Sequence, residues 1–98
     1  MAQYFNIKGA LTQELIAAGS NVSVSSIRLT NIHASDAVAV DLYLEKKLKG
    51  KFYITKAKSI ANANYLLLEN MSFNNRAGEF GLYVKLSASD SAVDIIIK

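Results

Sequence analysis

A chain of 98 residues, 51% of them hydrophobic and with a formal charge of +3, describes one folded domain spanning residues 1–98, not a disordered segment. The absence of cysteine excludes a disulfide framework and thiolate metal centres, and no run approaches the roughly 20 apolar residues of a membrane-spanning helix. The opening MAQYFNIKGA has no basic leader ahead of an apolar run, so a secretion signal is not expected.

Gln3 to Lys8 alternates and predicts a first, edge-like strand that Gly9 breaks. Leu11 to Ala17 fits either one or two helical turns or a strand; the turn residues that follow, Ala18 to Asn21, and the strands beyond favour a strand. Val22 to Ile32 reads as the next strand. Its alternation slips phase, since Val22 and Val24 share a parity that Ile27 and Leu29 do not, and a bulge near Ser25 and Ser26 is expected. The stretch Ser26–Leu44 then predicts a hairpin, with a turn at His33 to Asp36 and a strand over Ala37 to Glu45 whose Val38, Val40, Leu42 and Leu44 share one face. Lys46 to Gly50 is a polar connection. Lys51 to Lys56 follows as a strand, with Phe52 and Ile54 expected on the core face.

Ser59 to Asn64 is a turn, Tyr65 to Glu69 a strand, and Asn70 to Gly78 a polar loop in which Met71 and Phe73 should tuck inward. Phe80 to Leu86 alternates cleanly. Ala88 to Ser91 predicts a hairpin turn into a closing strand, Ala92 to Ile97. Ile16-Ala17-Ala18-Gly19 and Ile60-Ala61-Asn62-Ala63 echo one another, as two similar turns or as two points where the chain crosses between sheets. The sum is all-β: an antiparallel β-sandwich, immunoglobulin-like or jelly-roll-like, of seven to eight short strands. With no proline in the chain, its turns must be built by Gly, Asn, Ser and Asp.

Residues that carry chemistry are sparse. His33 is the sole histidine and reads as an exposed turn residue; Ser35 and Asp36 beside it are expected to bond turn amides. The acids are scattered without a paired-carboxylate context, and no phosphate loop, zinc-protease or nucleophile-elbow motif occurs. No catalytic, cofactor-binding or metal residue is therefore assigned, and an enzyme is not expected. The concentrated feature is Lys46, Lys47, Lys49, Lys51, Lys56 and Lys58, with no acid between Glu45 and Glu69. These lysines either guard a sheet edge against unwanted pairing or form a docking patch for an acidic protein partner. With Arg28 and Arg76 the only arginines, nucleic acid is not an expected partner.

The run SSIRLTNIHASDAVAVDLYLEKK resembles small β-sandwich structural proteins of tailed bacteriophages. In that family a strand ends in Asn, here Leu29-Thr30-Asn31, a polar turn follows, here Ser35-Asp36, and the next strand alternates Val with small or acidic residues, here Val38 to Leu44. Lys51-Phe52-Tyr53-Ile54, Ile60-Ala61-Asn62-Ala63 with Tyr65 to Leu68, and the ending Ser91 to Lys98 extend the likeness over nearly the whole chain. Ala17 and Ala61 stand where the family often has proline. The resemblance implies a virion structural protein assembled in the bacterial cytoplasm. It would be a capsid decoration or cement protein that meets the major capsid protein or other virion proteins as a homo-oligomer. Neck, tail or baseplate placement, or a carbohydrate-binding attachment module using outward tyrosines, are the alternatives.

Overall fold

Period-two burial runs through most of the strands of the computed structural model, which describes residues 3–10, 12–18, 23–46, 50–71, 73–74 and 80–98. Ten strands are described: β1 Gln3–Lys8, β2 Gln13–Ile16, β3 Ser23–Val24, β4 Ile27–Asn31, β5 Val38–Lys46, β6 Gly50–Ile60, β7 Tyr65–Leu68, β8 Phe73–Asn74, β9 Phe80–Leu86 and β10 Ala92–Ile97. All pairings among them are antiparallel. The expected strand over Leu11 to Ala17 is present as β2.

Eight of these strands form two four-stranded sheets, one in the order β1-β10-β4-β7 and the other β2-β9-β5-β6, with β3 and β8 as a separate pair. Facing sheets of this strand order make a jelly roll, two interlocked Greek keys, and so decide between the two sandwich types that the alternation leaves open. The inward residues interdigitate as a single apolar core that includes Ile27, Leu29, Val40, Leu42, Leu82, Val84, Val93 and Ile95, each essentially without solvent contact.

The jelly roll overturns two expected hairpins. Ile27–Asn31 and Val38–Lys46 do not pair: β4 lies between β10 and β7, while β5 lies between β9 and β6. The turn at His33 to Asp36 is instead a crossing from one sheet to the other. Ala88 to Ser91 is likewise a crossing, from β9 to β10. It is closed by the Ser91 N–H donating to the Ala88 carbonyl at 3.1 Å and the Ala88 N–H donating to Ser91 Oγ at 3.2 Å. Only β5 and β6, among the sequence-adjacent strands of the two large sheets, lie side by side.

The phase slip at Ser25 and Ser26 is also not a bulge within one strand. It is a break between β3, which pairs β8, and β4, which enters the β1-β10-β4-β7 sheet. The Ser25 and Ser26 amides donate to the Lys98 carbonyl at 2.7 and 3.1 Å, so the break is satisfied by the end of β10. The two echoing motifs, by contrast, do mark crossings. Ile16 and Ile60 are each the last, buried residue of a strand in the β2-β9-β5-β6 sheet, and the chain leaves that sheet after each.

Asn31, fully buried at 0% exposure, fastens one of these crossings. Its Nδ2 donates to the carbonyls of Asp36 and Ile60, both at 2.9 Å, and its Oδ1 accepts the His33 N–H at 3.0 Å. Its backbone N–H donates to the Asn64 carbonyl and its own carbonyl accepts from the Ala63 N–H. One side chain therefore joins the end of β4, the turn before β5, and the β6-to-β7 crossing, with every polar atom paired.

Candidate functional site

The lysines of the candidate patch concentrate on β6, an edge strand that pairs only with β5. Lys51, Lys56 and Lys58 lie along it and are exposed; Lys46 ends β5, with its ammonium 5.7 Å from the Phe80 ring centre. Lys47 and Lys49 lie outside the described residues. The edge is not a flat template. Its register with β5 shifts twice, between Val40 and Leu42 and between Leu42 and Tyr43. At the first shift Ala57 takes φ 53°, and its N–H donates to Asp41 Oδ1 at 2.7 Å. Bulges, twist and lysines together are how sheets guard an edge.

Guarding does not account for the aromatics set among these lysines. Phe52 is 53% and Tyr53 42% exposed. Phe52 was expected on the core face. It shares the inward parity of its neighbour Leu44, but Leu44 and Phe80 are themselves only partly buried there, and the ring meets Phe80 edge-on at 5.9 Å where the core gives out. The Lys56 ammonium stands 4.8 Å from the Tyr53 ring centre.

Tyr53 also begins a row that crosses the outer face of its sheet. In register, Tyr53 lies opposite Tyr43, Tyr43 opposite Tyr83, and Tyr83 opposite Glu14. Tyr43 and Tyr83 stack at 5.6 Å with planes 14° apart, and Tyr43 meets Tyr53 at 5.3 Å. Lys51 covers Tyr43 at 4.9 Å, leaving that ring 3% exposed although it points away from the core. The Tyr83 hydroxyl donates to Glu14 Oε2 at 3.1 Å. Burial first, and then the Glu14 carboxylate, push the Tyr83 phenol above its ordinary value. Gly81 makes room for the row, because a Cβ there would meet the Tyr83 ring at 3.0 Å and the Ile16 carbonyl at 3.2 Å. The rings spend their faces on one another and on lysines, so the row is a packed rib and not an open platform for stacking a sugar.

His33 is not the exposed turn residue expected; its side chain is four-fifths buried. The Ser35 and Asp36 amides donate to its Nδ1 at 3.1 and 3.0 Å. The expectation that Ser35 and Asp36 side chains bond turn amides is thus reversed: the imidazole accepts both amides, and the Ser35 hydroxyl donates to Asp36 Oδ1. With Nδ1 accepting, the proton of the neutral ring sits on Nε2, which faces Asp90 Oδ2 at 3.2 Å and Asp36 Oδ2 at 4.0 Å. His33, Asp36 and Asp90 have the proximity of a metal triad. However, a cation at Nε2 would require that tautomer to give up its proton while two N–H groups hold the opposite nitrogen. The cluster fits a clamp between two crossings better than a metal centre.

The opposite outer face, on β1-β10-β4-β7, is less polar than a solvated sheet face usually is. Tyr4, Ile96, Arg28 and Leu67 form one cross-strand row, and Asn6, Asp94, Thr30 and Tyr65 the next. Tyr4 is 72% exposed, and the Arg28 guanidinium stacks 4.3 Å from the Tyr65 ring centre.

Fold and surfaces together define a jelly-roll β-sandwich domain. No protein-family model and no curated protein sequence matches the chain. Among solved structures, PirA is similar over 98% of this chain and 90% of its own, with a TM-score of 0.57 and 8% identity. The Yersinia pseudotuberculosis-derived mitogen aligns over 99% of this chain and 81% of its own at a TM-score of 0.47 and 14% identity. A chain of infectious bursal disease virus, Gx strain, aligns over 99% of this chain at a TM-score of 0.47 and 11% identity, with 32% of its own length covered. The likeness to PirA is one of fold alone.

Proposed function

We propose that the domain is a non-enzymatic structural protein of a tailed-phage virion, a decoration or cement protein that docks on the outer head surface through the β6 edge. The observation that carries this reading is the exposure of Phe52 and Tyr53 among Lys51, Lys56 and Lys58 on one edge strand. Exposed aromatic side chains are the anchors of protein-binding hot spots, and a polar, solvent-accessible rim surrounds them. The resemblance of residues 25–47 and 51–68 to phage virion proteins supplies the partner class.

Docking would bury the two rings, while the lysines steer the domain to acidic loops of the major capsid protein and impose a salt dependence. Many copies per particle would turn modest single-site affinity into stable coverage. The test is binding of the purified protein to emptied, expanded heads of the parent phage. Binding at low salt that weakens as salt rises, and that is lost when Lys51, Lys56 and Lys58 are changed together to Glu, supports the reading. Failure to bind at low salt overturns it. Copy number separates the runner-up, a neck, tail or baseplate position, from decoration: a few to a few dozen copies against hundreds.

A further inference from the structure

We propose that the outer face of the β1-β10-β4-β7 sheet is a self-association surface whose occupant is a second copy of this chain. The inference goes beyond virion docking and does not depend on it. Among the described residues, four of the six exposed large hydrophobic side chains stand on this one face: Tyr4, Ile32, Tyr65 and Leu67. Ile32 belongs to it because its N–H continues the β4–β10 ladder by donating to the Ala92 carbonyl at 3.0 Å. A small domain rarely leaves such a concentration of apolar side chains on a single sheet face without covering it.

The shape of the face favours insertion over flat contact. Two shallow depressions, of about 240 and 370 Å³, flank Ile96, which lines both. Leu67 and Arg28 border the first, and Tyr4 borders the second.

Charge selects the occupant. The face holds cations at Lys8, Arg28 and Lys98 and anions at Glu69 and Asp94, distributed across its strands. A surface of mixed sign around an apolar centre can complement itself under a twofold axis. The β6 edge, with Lys51, Lys56 and Lys58 along it, would repel its own copy. A twofold axis running along the strands lays β1 over the second copy's β7 and β10 over its β4. Tyr4 then meets Leu67 across the axis, in the row Tyr4-Ile96-Arg28-Leu67, and Arg28 comes within a diagonal step of Asp94. Asp94 is held in place by the Asn6 side-chain amide, and Arg28 by its stacking on Tyr65.

Four strands about 4.8 Å apart and four outward rows about 6.8 Å apart give a footprint of roughly 500 Å² per copy. That lies at the low end of specific interfaces, so the dimer should be a weak one. Sedimentation equilibrium of the full chain between micromolar and millimolar concentration should show monomer converting to dimer. Leu67→Glu should raise the dissociation constant at least tenfold, with the melting temperature of the monomer showing that the fold is kept. Arg28→Glu and Asp94→Arg should each weaken the dimer, and the double exchange should restore it. A wild-type protein that stays monomeric at millimolar concentration overturns the proposal, as does a dimer indifferent to Leu67→Glu. If Leu67→Glu abolishes binding to heads while the free protein is monomeric, the face belongs to the coat and the proposal is also overturned.

Discussion

Asn31 is the residue on which the greatest number of separate segments depends. Replacing it with Ala removes three side-chain hydrogen bonds, one of them, to the Ile60 carbonyl, fully buried and the other two, to the Asp36 carbonyl and the His33 amide, part-buried. At about 1 kcal/mol for each bond, Asn31→Ala should cost about 3 kcal/mol, a fall in melting temperature on the order of 15 °C for a domain of this size. Asn31→Asp should be no rescue, because it keeps the acceptor for His33 but sets a carboxylate against the carbonyls of Asp36 and Ile60. Thermal melts of both variants check this. Tyr83 gives a prediction in pH. Its folded-state value lies above that of the unfolded chain, so its contribution to stability is present below about pH 10 and is lost as pH rises through the folded value. An ultraviolet phenolate titration should therefore contain one late tyrosine that is absent from Tyr83→Phe, and Glu14→Gln should bring that titration earlier. The place of Asn31 at the end of a strand could be read in the sequence, but its hub role could not, since three of its partners, the backbones of Ile60, Ala63 and Asn64, lie about thirty residues away. The largely buried state of His33 escaped in part for the same reason, since Asp90 reaches it from a crossing elsewhere in the chain; its amide partners, Ser35 and Asp36, are local, and there the turn-bonding habit of Ser and Asp side chains pointed to the wrong acceptor.

The strands of the two large sheets were legible to within a few residues because alternation reports which side of a strand is buried, whereas the short β8 lies within the expected polar loop Asn70 to Gly78. It does not report which strand lies alongside. The run from Ile27 to Leu44 contains two good strands and a good turn, and nothing local separates a hairpin from a crossing between sheets. Sequence-adjacent strands pair in most folds; a jelly roll inverts that expectation. The phase slip at Ser25 and Ser26 was a true signal with a different cause, a change of sheet. At β6 the lysine cluster was visible, while the exposure of Phe52 was not, because parity places a side chain on a face without saying how far the core extends. Two positions carry local strain that a substitution can test. Ala57 and Ala63 have φ 53° and 63°, a region that L side chains other than Asn and Asp visit at a cost. Ala63→Gly should stabilise by up to about 1 kcal/mol, the relief of that strain less the added freedom of the unfolded chain. Asp41→Ala, which removes the acceptor for the Ala57 amide, should destabilise by about 1 kcal/mol and blur the bulge. Chemical denaturation of the two variants, with amide exchange at Ala57, distinguishes them.

At the scale of the molecule, the sandwich class follows from composition and alternation, and the choice of jelly roll follows from pairings between distant strands. Those pairings also set the expected kinetics. β1 bonds β10 from Gln3 with Ile97 to Lys8 with Ala92, which closes a loop of nearly the whole chain, and β2 bonds β9. Chains dominated by such distant contacts fold in milliseconds to seconds. Without proline, no isomerisation phase of tens of seconds should follow. Stopped-flow refolding should therefore give a slow main phase with no proline-limited tail, and a prolyl isomerase should leave the trace unchanged.

β10 lies between β1 and β4 and not at a sheet edge, and this bears on how the protein is made. While a ribosome is still extending the chain, β1 and β4 have no partner to join them, and the apolar sides of Ile7, Ile27 and Leu29 wait uncovered. The sheet can close only after β10 has cleared the exit tunnel. A nascent chain stalled before Ala92 should therefore be held by chaperones or digested by protease, whereas a chain in which β10 has emerged resists both.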